Sequence, residues 1–231
     1  TRTNTAVDSC AQGSSVDMDF IELAGTQLGT TYTLSVDGST DFNGDLDTGG
    51  AAAGPLTIRE SDGRNLAIIN ANDIDRIFDV ATGGDLTISN VTITNGTASG
   101  IEHGGAIRNL GTLTLSNVDV TNSVSSNSSG RGGGVYNSGT LSVLAGSTVS
   151  GNAASRGGGI ENEGGTLVVT NSNVSGNTVS GIGGGVESLH PGTATITGTT
   201  ISGNVSNGTG TSGDAAGIHT SGTMLIEAST I

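Results

Sequence analysis

A segment of about 27 residues recurs six times along this chain, and that recurrence restricts the fold more than any other feature. GTLTL at Gly111–Leu115 returns as GDLTI at Gly84–Ile88, GTLSV at Gly139–Val143 and GTLVV at Gly165–Val169. It returns again as GTATI at Gly192–Ile196 and GTMLI at Gly222–Ile226, with successive starts 27, 28, 26, 27 and 30 residues apart. A glycine-led landmark precedes the copies: GGAI ending at Ile107, GGGV at Val135, GGGI at Ile160, GGGV at Val186 and AAGI at Ile218. A third landmark follows them: VTIT around Ile93, VDVT around Val120, then TVSGN from Thr148, NVSGN from Asn173 and TISGN from Thr200.

Each landmark is short, rich in β-branched residues, alternating, and bounded by Gly, Asn or Ser. Those are strand signals, and the segments between them are too short and aperiodic for helices. Three short strands per turn, always in one order, describe a coil that stacks on itself, with equivalent strands about 4.8 Å apart. In GTLTLSNVDVT the alternation points Leu113, Leu115, Val118 and Val120 inward, and Thr112, Thr114, Asp119 and Thr121 outward. The expectation is an all-β, right-handed parallel β-helix of about eight coils, three strands each. Residues 1–30 read as an irregular N-terminal segment and first coil, a cap or docking element. Residues 31–231 read as the β-helix, with regular repeats from about residue 73.

Composition agrees with a narrow interior. Glycine supplies 41 of 231 residues and aromatics only 2%, so the core is aliphatic and the corners are glycine-built. The net charge is −14, and all seven cations are arginines. Such a chain lacks the clustered cations that neutralise phosphates, which argues against nucleic acid. No apolar run has the length of a membrane-spanning helix. Cys10 is the single cysteine, so no internal disulfide forms. The sequence shows no signal peptide and reads as a processed or excised chain.

The stretch GGGIENEGGTLVVTNSNVSGN resembles the repeats of secreted bacterial right-handed parallel β-helix proteins, among them the CSLREA-type surface proteins and the chlamydial polymorphic outer membrane proteins. The earlier DFIELAGTQLGTTYTLSV, GDLDTGG and LTIRE resemble the first coils of the CSLREA-type group, although Cys10 is followed by AQGSS rather than that group's cysteine-led motif. The resemblance implies a secreted or cell-surface solenoid and leaves its chemistry open, because this fold carries lyases, hydrolases, adhesins and inert stalks.

The residue after each first-strand hydrophobe forms a column, Arg108, Tyr136, Glu161, Glu187 and His219, that alternation turns toward solvent. Neighbouring rungs set Glu161 and Glu187 about 5 Å apart, the carboxylate separation of retaining glycosidases. With Tyr136 and Arg108 they form the candidate catalytic or polysaccharide-binding set. Lyases on this fold use Lys or Arg beside calcium-binding Asp; lysine is absent, and the regular coils show no Arg–Asp cluster by spacing. DGSTDFNGDLDTGG offers Asp41, Asn43, Asp45 and Asp47 as a candidate structural Ca²⁺ loop. His103, His190 and His219 lack a second His or a Cys at ligand spacing, so no zinc site is assigned.

Two asparagine columns have structural roles: Asn109, Asn137 and Asn162 after the first strand, and Asn152, Asn177 and Asn204 in the SGN motifs. Each should stack as a ladder of amides. The sequons at Asn90, Asn95, Asn127, Asn173, Asn204 and Asn207 follow from repeat composition. Outward pairs Thr112/Thr114, Thr140/Ser142 and Thr193/Thr195 form a threonine ladder of the ice-binding kind, interrupted by Asp85, Val168 and Leu225. The last rung carries no capping helix or charged tail, which points to head-to-tail self-association or to a fragment of a longer solenoid. The favoured function at this stage is an extracellular structural or adhesive protein without enzymatic activity. Runners-up are a carbohydrate-active enzyme or polysaccharide binder, and an ice-binding protein.

Overall fold

The computed structural model describes residues 19–23, 30–33, 46–48, 54–60, 67–100, 102–208 and 215–231. These residues are all-β, without helices, and every strand pairing is parallel. The chain is a β-solenoid of about six regular turns, starting near Phe78, where eight coils were expected. The difference lies at the N-terminal end: Asp19 pairs with Leu56, 37 residues on, so the 27-residue spacing does not extend there.

Each complete regular turn holds four strands, not three. The first sheet contains Ile107–Asn109, Val135–Asn137, Ile160–Glu163, Val186–Leu189 and Ile218–Thr220. The second carries Thr112–Ser116, Thr140–Leu144, Thr166–Thr170, Thr193–Thr197 and Thr223–Glu227. The third carries Asp119–Thr121, Thr148–Ser150, Asn173–Ser175 and Thr200–Ser202. A fourth sheet stacks Thr97–Ala98, Val124–Ser125, Ala153–Ala154, Thr178–Val179 and Val205–Ser206. Two-residue strands are too short to show alternation, which is why this sheet leaves no period in the sequence.

Inward side chains stack on their own copies. Leu86, Leu113, Leu141 and Leu167 follow one another through the second sheet, beside Ile88, Leu115, Val143 and Val169. All eight are fully buried. Fully burying such a side chain is worth about 1.5–3 kcal/mol, so each rung is stabilised mainly by its neighbours. The corner between the second and third sheets demands a left-handed residue on every rung: Asn90, Asn117, Ala145, Asn171, Gly198 and Ala228 all have φ between 48° and 60°. Asn and Gly adopt this conformation at least cost.

Candidate functional site

The first sheet holds the column picked out by sequence in strict register: Arg108 pairs with Tyr136, Tyr136 with Glu161, Glu161 with Glu187 and Glu187 with His219. Asp79 extends it by one rung before Arg108. The expected solvent exposure is overturned at its centre. Glu161 and Glu187 both have 0% relative exposure, while Arg108, Tyr136 and His219 are half-buried.

Glycine corners cause the burial. Gly157 has φ +55, and a side chain there would meet Glu161 Oε2 at 2.6 Å and its Cβ at 2.7 Å. The corner backbone therefore lies directly over the carboxyl group, a close approach only glycine permits. Three of these corners also carry a side chain, four residues before the strand hydrophobe, that reaches one rung onward. His103 meets Tyr136 with ring centroids 5.0 Å apart. Arg131 pairs with Glu163 and stands 3.7 Å from Glu161. Arg156 grips Glu187 through Nε at 3.1 Å and through Nη2.

This diagonal lacing fixes the electrostatics. Neither oxygen of Glu161 meets a donor in hydrogen-bond geometry, and a hydrogen bond with its in-register neighbour Glu187 favours the acid form. Burial, then that hydrogen bond and the charge of Glu187, push its pKa up to about 9. Burial also works against ionised Glu187, but hydrogen bonds from Arg156 and Glu161, with the charges of Arg156 and His219, hold it below the usual carboxylate value. His219 Nδ1 lies 3.0 Å from Glu187 Oε1. Tyr136 donates to Glu163 at 2.9 Å, and burial followed by that bond raises its pKa to about 12. Burial and then Arg131 lower His103.

A second charged cluster corrects the absence of an Arg–Asp cluster. Asp79, nearly buried, accepts Nε of Arg108 at 3.1 Å and is also bound by its Nη2. Arg76 lies 3.7 Å from Asp79 and 2.5 Å from Glu102. Its Nη1 donates to the His103 carbonyl at 3.2 Å. Asp79 and Arg108 are 29 residues apart in sequence, so no local spacing marks them.

The asparagines lie in two buried ladders. Asn109 Nδ2 donates to Asn137 Oδ1 and Asn137 Nδ2 to Asn162 Oδ1, each at 2.7 Å, and Asn162 continues to Ser188 Oγ at 3.0 Å. Asn152 donates to Asn177, and Asn177 to Asn204, both at 3.0 Å. On the second sheet, Thr112, Thr140, Thr166, Thr193 and Thr223 form one unbroken exposed rank. The next rank contains Thr114, Ser142, Val168, Thr195 and Leu225, so Val168 and Leu225 interrupt it.

Asp41, Asn43 and Asp45 of the candidate calcium loop lie outside the described residues, as does Cys10. Asp47 belongs to the strand Leu46–Thr48, in register with Asp79. Among the described residues no three His, Cys, Asp or Glu side chains converge as metal ligands. The missed pieces are the corner arginines, and the repeated RGGG at Arg131 and Arg156 was their signal. No family model, curated protein or solved structure matches this chain.

Proposed function

We propose that this chain is a structural or adhesive solenoid that acts outside the cell, and that its charged column holds rungs together rather than turning over a substrate. One observation carries this reading: Glu161 and Glu187, the carboxylates a glycosidase would need, are fully buried, and Glu187 is engaged by Arg156. General acid–base work needs a group within hydrogen-bond reach of substrate, and these lie beneath a backbone corner. The resemblance to secreted surface repeats supports the location. Head-to-tail association belongs to the same proposal. Electron microscopy of purified protein tests association: end-to-end filaments support it, and monomers at high concentration oppose it. A polysaccharide panel assayed with wild type and Glu161→Gln tests the rest. Turnover that disappears in the variant would restore the carbohydrate-active alternative with Glu161, Glu187, Tyr136 and Arg108.

A second reading, ice binding, is favoured by the unbroken rank of five threonines on the second sheet. Thermal hysteresis on cooling would support it, and ordinary freezing would end it. The segment with Asp41, Asn43, Asp45 and Asp47 is proposed as a stabilising Ca²⁺ site, checked by the change in melting temperature on adding Ca²⁺.

A further inference from the structure

The contact between Ile160–Glu163 and Val186–Leu189 places two carboxyl groups in register with a single strong cationic partner between them. Glu187 is faced by Glu161, by Arg156 from the preceding corner, and by His219 from the next rung. Glu161 is faced by Glu187, Arg156, Arg131 at 3.7 Å, Tyr136 from the preceding rung, and Glu163 on its own strand. Arg156 directs Nε and Nη2 to Glu187, and Arg131 pairs with Glu163. A second buried anion at Glu161 therefore finds no donor at either oxygen. Water cannot replace one, because the side chain has 0% exposure beneath Gly157.

We propose that Glu161 is held as a neutral carboxylic acid whose proton is donated in a hydrogen bond to the Glu187 carboxylate, so that this rung contact is a proton-dependent joint in the solenoid. The proton stays on Glu161; its O–H points at one oxygen of Glu187, and Arg156 and His219 serve the Glu187 carboxylate. The inference goes beyond the proposed function and does not rest on it. Burial and the neighbouring carboxylate move the folded-state titration from 4.5 to about 9. The folded protein then binds more protons than the unfolded chain between those values. The joint's stabilisation is full below about pH 4.5, declines steadily to about pH 9, and is constant above.

Carboxyl-¹³C glutamate labelling and an NMR titration of the wild-type protein test this. One of the seven glutamates should remain protonated through pH 7, and its signal should vanish in Glu161→Gln. If all seven are ionised at pH 7, the proposal fails. Glu161→Gln keeps a donor toward Glu187 without a titrating group. Its melting temperature should match wild type near pH 4.5 and exceed it by ~10 °C at pH 9. A difference independent of pH would overturn the joint. Should the Gln variant not fold, Glu161→Asp supplies the assignment and the wild-type titration still decides.

Discussion

Arg156 holds Glu187 through both Nε and Nη2 across 31 residues of chain and one rung of the solenoid. The pair shows how a chain with few charges uses them. Arg131 reaches one rung onward from the same position of its own corner, and the ring of His103 does the same against Tyr136. Lateral strand pairing cannot by itself distinguish one copy of a near-identical rung from the next. Directional ion pairs between unlike residues can, and we read the lacing as a register device.

Glu187 should shape the acid limb of stability. Its folded-state pKa is depressed, so its contribution is present above the ordinary value of 4.5 and is lost as pH falls through the folded value. Urea unfolding of wild type should therefore weaken below about pH 4.5. In Glu187→Gln that loss should be smaller, with lower stability at pH 6 because Arg156 loses its carboxylate.

The first asparagine ladder should behave as a structural spine. Asn137→Ala removes the donor to Asn162 Oδ1 and the acceptor for Asn109 Nδ2, both buried. Leaving such groups unpaired costs about 1–3 kcal/mol each. Asn109 keeps its second bond to the Thr140 carbonyl, so about 2–4 kcal/mol in total is expected by urea denaturation.

Ala145 should be a site of gain. It adopts φ 56 on an exposed corner where four of the other five rungs use Asn or Gly and one uses Ala228. Ala145→Gly should raise stability by about 1 kcal/mol, since an L side chain in this conformation costs about that much. Ala145→Asn should gain less, and either change is readable as a shift in the thermal midpoint.

The stacked aliphatics and amide ladders were legible in the sequence because each depends on one position repeated at a fixed interval. Leu113 and Leu141 announce themselves by alternation, and Asn109, Asn137 and Asn162 by constant offset from a hydrophobe. The fourth sheet was not, since pairs such as Ala153–Ala154 carry no pattern. Nor was the burial of Glu161. Alternation assigned it correctly to the outer side of the strand, but the Gly157 corner folds across that side, and nothing local to Glu161 encodes this. Long-range pairs such as Arg108 with Asp79 were hidden for the same reason.

The stability of Arg156→Ala tests most directly whether the charged column is structural. Residues kept for catalysis or binding commonly cost stability, whereas a rung fastener supplies it. Arg156 is about one-third exposed and Glu187 is fully buried, so the loss should sit near the low end for a broken buried pair, about 2–3 kcal/mol by urea unfolding at pH 7. Unchanged or increased stability in this variant would contradict the account.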